Sequence, residues 1–166
     1  MDVTKCMRTQ VLLAEPDSDY KSLLCKIAGS AIPRQVYVVD ESYKLLGIVS
    51  ALDLIKEVMP SYMNADLARS ITDGADFLQK QVEKVKDKRA RDIMTTNIHS
   101  LKPQHQLYEA DALIAETGVN TLPILNKDGK IIGEITRREI LVTLIKDCEG
   151  FDLDEAKPVD LSLLSS

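Results

Sequence analysis

The chain has 166 residues, 45% of them hydrophobic and 28% charged, with a net charge of −5 and a pI near 5.1. That composition belongs to a folded chain able to bury one ordinary core or two small ones, so disorder is not the default. Lys and Arg are scattered rather than blocked, so the basic face that phosphate-backbone binding requires is lacking and nucleic acid is not an expected partner.

No apolar run reaches the length of a membrane span, and the N-terminus lacks the charged-then-apolar pattern of a signal peptide. The expectation is a cytoplasmic protein with no membrane association. Three cysteines, Cys6, Cys25 and Cys148, show no C-x-x-C spacing and read as reduced thiols, buried or incidental.

Taken in chain order, Val11-Leu12-Leu13-Ala14 is an apolar strand ending at the turn signal Glu15-Pro16-Asp17. Tyr20, Leu23, Leu24 and Ile27 recur at helical spacing, and Gly29 stops that helix. Val36 to Val39 and Leu45 to Val49 are strands joined by the turn Asp40-Glu41-Ser42-Tyr43-Lys44. Ser50 opens a helix with an expected apolar face of Leu52, Ile55 and Val58, ended by Pro60. Within residues 60–89 the stretch Asp76 to Lys88 is highly charged with a thin apolar stripe of Phe77, Val82 and Val85, which predicts a solvated helical linker; the alternative is a helix that docks on a second subunit. In the second half Leu107, Ala110 and Ile114 mark a helix, and Asn126-Lys127-Asp128-Gly129-Lys130 is a hairpin turn. Ile140, Leu141 and Leu144 mark the closing helix. The tail from Gly150, with Pro158 and a Ser/Leu end, is expected to be loosely held.

These elements form two copies of one unit. Gly47-Ile48-Val49-Ser50-Ala51-Leu52-Asp53 returns as Gly133-Glu134-Ile135-Thr136-Arg137-Arg138-Glu139, offset by 86 residues. Cys6-Met7-Arg8-Thr9-Gln10-Val11 returns as Ile93-Met94-Thr95-Thr96-Asn97-Ile98, offset by 87. One residue has therefore been lost or gained in the first helix. Each unit reads as strand, helix, strand, turn, strand, helix, and leaves one sheet face and its helices partly uncovered. Two units packed sheet to sheet would cover them. The expected fold is α/β (α+β): two tandem repeats at 2–59 and 90–147, a helical insert at 60–89, and a tail at 148–166.

Met94-Thr95, Thr121-Leu122-Pro123-Ile124-Leu125-Asn126, the turn at Gly129 and Gly133-Glu134-Ile135-Thr136 together resemble a CBS-domain pair, also called a Bateman module. The first copy matches in Met7, Tyr37-Val38-Val39-Asp40 and Gly47 to Asp53. It departs in carrying Tyr37 where the family usually has proline. The second copy departs in carrying Glu139 where the ribose-binding aspartate would stand. The resemblance implies adenosyl ligands (AMP, ADP, ATP or S-adenosylmethionine) in clefts between the repeats, with a carboxylate holding ribose and a hydroxyl at a helix N-terminus beside phosphate. By resemblance, one cleft would use Ser50 and Asp53 with Asn97, Ile98, His99, Val119 and Asn120. The other would use Thr136 and Glu139 with Gln10, Val11, Leu12, Pro33 and Arg34, and Arg34 and Arg138 would lie toward phosphate. It also implies a homodimer, with Leu52, Ile55, Leu141 and Leu144 on the apolar surface that a second copy would cover. No effector domain is read in the sequence, so any regulated target is expected to be a separate protein.

A simpler role competes for the same residues. Ser50-x-x-Asp53 and Thr136-x-x-Glu139 both match a capping box, which needs no ligand. His99 and His105 have no partners at metal-ligand spacing. Arg137 reads as an exposed helix start. No nucleophile–base pair, metal cluster or G-x-x-x-x-G-K loop is found. The expectation is therefore a regulatory sensor with no catalytic residues, no metal and no required cofactor; the alternative is a structural dimerisation module without ligand.

Overall fold

A computed structural model of the protein describes residues 1–31, 35–146 and 158–164. The first repeat contains β1 (Leu12–Ala14), α1 (Tyr20–Ala28), β2 (Val36–Val39), β3 (Leu45–Val49) and α2 (Ala51–Glu57). Asp19 caps α1, its Oδ1 accepting from the Ser22 amide at 2.8 Å. The three strands form one sheet in the order β1-β2-β3, with β1 parallel and β3 antiparallel to β2. The insert carries α3 (Ala65–Ala68) and α4 (Gly74–Val85), and α5 (Ala90–Ile93) opens the lead-in of the second repeat. The second repeat contains α6 (Leu107–Thr117), β4 (Thr121–Leu125), β5 (Ile131–Thr136) and α7 (Arg137–Lys146).

The second sheet has two strands where the repeat pattern predicts three. Around Ile98 the expected strand is reduced to one parallel bridge, Leu101 to Ile124. The cause lies in the facing strand. The Leu101 amide donates to the Pro123 carbonyl, and the Leu125 amide donates to the Leu101 carbonyl, both at 2.9 Å. The next rung toward the N-terminus would need an N–H from Pro123, which proline lacks. Tyr37 occupies the same place in the first copy, and there β1 pairs with β2 over its full length.

Each repeat is completed by the lead-in segment of the other. The first core gathers Ala14, Leu23, Val36, Val38, Val49 and Leu54 with Val85, Ala90 and Ile93, and Met94 packs against it. The second gathers Leu101, Ala110, Ile114, Leu122, Ile124, Ile135 and Ile140 with Val3, and Cys6 and Met7 pack against it. The backbone follows the same exchange: Thr95 bridges to Ile48 on β3, and Arg8 bridges to Glu134 on β5. The hairpin turns also meet, with the Leu45 amide donating to the Gly129 carbonyl at 3.0 Å. Tyr43 stands at the turn position of Gly129 and shares its left-handed backbone, with φ 65 against 78.

The expected apolar faces of the two closing helices divide between core and surface. In α2 the buried residue is Leu54, followed by Val58, whereas Leu52 and Ile55 are exposed. In α7 only Ile140 is buried, and Leu141 and Leu144 are exposed. The insert is not wholly solvated: Val85 is buried in the first core and Val82 packs against it. Cys25 is exposed and Cys6 half-buried, so burial does not describe the first thiol. Cys148 and residues 150–157 of the tail lie outside the described residues. Leu161–Leu163 forms a single 3-10 turn.

Candidate functional site

Ser50 ends β3 at the point where α2 begins. Its amide donates to Asp53 Oδ2 at 2.8 Å, and the Asp53 amide donates to Ser50 Oγ at 3.2 Å. The capping box is thus complete, yet both side chains remain partly accessible. They border a cavity of ≈190 Å³ lined by Gln35, Ile48, Ser50, Asp53, Thr95, Asn97, Ile98, His99, Val119 and Thr121. Both repeats contribute to it. Of the seven residues expected at this cleft, six line the cavity; Asn120 is exposed beside it, its carbonyl accepting from the Arg137 amide. Gln35, Ile48, Thr95 and Thr121 were not foreseen. The bridge from Thr95 to Ile48 brings two of them in, and long-range pairing of that kind leaves no mark on local sequence.

The second cleft is arranged differently. Glu139 Oε2 accepts from the Thr136 amide at 2.9 Å and from the Thr136 hydroxyl, while Arg8 Nη1 reaches Glu139 Oε1 at 3.4 Å. Leu12 packs against the first core, Val11 is half-buried and Gln10 exposed. Pro33 and Arg34 lie outside the described residues. Arg138 is exposed and, together with Glu139, lines a cavity of ≈330 Å³ that Lys5, Cys6 and Lys146 also border.

Behind that cleft lies a polar contact between the repeats that sequence reading missed. Glu134, on β5, is 2% exposed, and its Oε2 accepts from the Tyr37 hydroxyl at 2.5 Å. Its Oε1 is buried without a partner. Burial pushes the Glu134 carboxyl above the ordinary glutamate value, although the Tyr37 hydrogen bond and Arg8 pull the other way. Burial and the nearby carboxylate push the Tyr37 phenol up as well, so it stays a donor. The sequence signal was a glutamate inside an apolar strand opposite a tyrosine in the proline position. Arg137 is the exposed helix start that was expected, and its guanidinium also donates to the carbonyls of Gly118 (2.5 Å) and Val119 (3.1 Å), closing the end of α6.

A larger depression of ≈690 Å³ sits at the ends of β1 and β2, lined by Glu15, Asp17, Asp40 and Glu41 among others. Its carboxylates oppose an anionic ligand. Among the described residues no group of three His, Cys, Asp or Glu could hold a metal ion, and no helix is long and apolar enough to cross a membrane.

Two repeats exchanging their lead-in segments around a shared cleft define a tandem module, and comparison with known proteins names its kind. The CBS-domain family model matches residues 2–60 and 90–146. The chain belongs to the CBS-domain family. A CBS domain-containing protein of Dictyostelium discoideum is 32% identical over 116 residues, covering 68% of this chain and 70% of that protein. The chloroplast protein CBSX2 of Arabidopsis thaliana is 29% identical over 116 residues, and the match spans 46% of its length. The crystal structure of CBSX2 in complex with AMP shares the fold, with a TM-score of 0.67 at 24% identity, covering 87% of this chain and 96% of that one. The CBS pair of protein MJ0100, in complex with 5-methylthioadenosine and S-adenosyl-L-methionine, has a TM-score of 0.65 at 14% identity, covering 89% and 98%.

Proposed function

We propose that the cleft bordered by Ser50 and Asp53 binds an adenosyl ligand, and that the chain is a regulatory, non-catalytic sensor acting on a separate protein. The observation that carries this is the gathering of Ser50 and Asp53 with Asn97, Ile98, His99 and Val119 around one cavity. Asp53 keeps Oδ1 outside the capping box, and a carboxylate oxygen can accept from ribose hydroxyls. The ≈190 Å³ cavity is smaller than the roughly 300–1,000 Å³ of small-molecule pockets. It suits a nucleoside end, with phosphate left toward the helix start and solvent. The complexes of CBSX2 with AMP and of MJ0100 with adenosyl compounds support that ligand class.

The second cleft favours the alternative reading for its own half. Arg8, Glu139 and Thr136 bond to one another there, so that half serves as structure and the module has one site. The exposed Leu52, Ile55, Leu141 and Leu144 form the surface on which a second copy would dock, making a homodimer in the cytoplasm. Isothermal calorimetry with AMP, ATP and S-adenosylmethionine tests the sensor reading. Saturable binding at one site per chain is expected; no binding of any of the three leaves only the structural role.

A further inference from the structure

Gln35 lines the Ser50/Asp53 cavity and also bonds to Tyr37, its Nε2 lying 3.2 Å from the Tyr37 hydroxyl oxygen. Tyr37 in turn bonds to Glu134 at 2.5 Å. A chain of three side chains therefore runs from the cavity, through the interface, to a buried carboxyl in the other repeat.

The direction of each hydrogen bond in this chain follows from its far end. The Tyr37 hydroxyl donates to Glu134 Oε2, so its one proton is spent there. The phenol oxygen can then only accept, and the group facing it must be the Gln35 NH2 rather than its carbonyl. The amide is thereby held in one of its two orientations, which leaves Oε1 as the fixed acceptor of a side chain that lines the cavity. The relay is one-sided. The counterparts of Gln35, Tyr37 and Glu134 in the other repeat are Thr121, Pro123 and Ile48, none of which can transmit such an order.

We infer that Gln35 is a specificity-determining residue of this cleft, oriented by Tyr37 and Glu134 to accept a hydrogen bond from the exocyclic amine of an adenine base. The assignment rests on the adenosyl reading above and is reached by elimination of donors. Phosphate oxygens at neutral pH only accept and would be repelled by a carbonyl. The ribose hydroxyls are matched by the Asp53 carboxylate. The amine is the donor that remains, and a purine with a carbonyl at that position would set two acceptors against each other.

Calorimetry on wild type, Gln35→Met and Tyr37→Phe, each titrated with AMP and with inosine monophosphate, tests this. The two nucleotides differ at position 6, amine against carbonyl, and at the adjacent N1, which accepts in AMP and carries a proton in inosine monophosphate. Wild type should prefer AMP by about threefold to tenfold or more, the value of one net hydrogen bond. Gln35→Met, which alters a half-exposed side chain, should bring the preference close to one. Tyr37→Phe should do so too, by freeing the amide to turn over. If Tyr37→Phe does not fold, Gln35→Met alone decides. A preference unchanged in Gln35→Met overturns the inference while leaving the adenosyl site standing. Wild type binding neither nucleotide nor S-adenosylmethionine overturns both.

Discussion

Met7 lies so close to Gly133 that a β-carbon there would sit 2.7 Å from its Sδ, and 2.8 Å from the Arg8 carbonyl oxygen. The lead-in segment of one repeat thus runs directly over the glycine of the other. Gly47 and Met94 repeat the arrangement. Gly133→Ala should lower stability by about 1–3 kcal/mol through overpacking, read as a fall in urea midpoint. Adding Met7→Ala should return only part of that loss, because the Arg8 carbonyl cannot swing aside. A Gly133→Ala protein as stable as wild type would show that the segment is free to lift away.

Asp53→Ala should weaken adenosyl binding about tenfold to a hundredfold, given roughly 1.5–3 kcal/mol for a charge-assisted hydrogen bond. A 2′-deoxy nucleotide should bind wild type more weakly than AMP but be nearly indifferent to that substitution. Glu139→Ala should change affinity little and stability by about 1 kcal/mol, the worth of a cap. Calorimetry paired with thermal unfolding separates the two effects. Loss of binding in Glu139→Ala with Asp53→Ala silent would place the ligand in the opposite cleft.

The Glu134 carboxyl sets a sign for pH dependence. Because burial holds it above the ordinary glutamate value, the folded protein binds that proton more tightly than the unfolded chain does. Its contribution to stability is full below the unfolded value and is lost as pH rises through the folded one. At neutral pH the buried charge is a net cost, so Glu134→Gln should be more stable than wild type. That gap should narrow as the solution is made mildly acidic. A gap of opposite sign, or one constant across the range, would mean that Arg8 and Tyr37 fully compensate the burial.

Sedimentation velocity should show a dimer at micromolar concentration, with and without nucleotide. Ile55→Glu changes a residue already 57% exposed, so it should leave the melting temperature of the monomer fold intact while shifting the chain to monomers. An interface of standard size buries about 1,200–2,000 Å² in total, and one charge at its centre is enough to disfavour it. A wild type that sediments as a monomer would remove the dimer.

Much of this was legible because the repeat carries its own punctuation. Gly47 and Gly133, the turns at Asp40 and Asn126, and the caps at Ser50 and Thr136 mark equivalent places in both copies. The cavity follows from the repeat alignment and the resemblance, which together set Asn97, Ile98 and His99 beside Ser50. Helical faces were harder. In α2 Leu52, Leu54, Ile55 and Val58 are all apolar, and helical spacing alone allows two faces; only packing against Tyr20, whose hydroxyl donates to the Leu54 carbonyl at 2.7 Å, picks one. The missing strand near Ile98 was decided by a proline in a different segment. Glu134 reads locally as the polar face of a half-buried strand, and its burial depends on Tyr37, 97 residues away.

The exchange of lead-in segments also determines what the smallest self-sufficient piece of this protein is. A fragment holding the first repeat alone would keep Met7 and Arg8 as a loose arm and leave β3 with a bare edge at Ile48, where Thr95 now sits. An exposed edge beside an unattached arm is the arrangement from which proteins trade segments between chains. Two such fragments would recover in pairs what the intact chain closes within itself. Covalent joining replaces that encounter between molecules with a high local concentration. The tandem repeat is in this sense a tethered arm-exchanged dimer, and its folding unit is the pair.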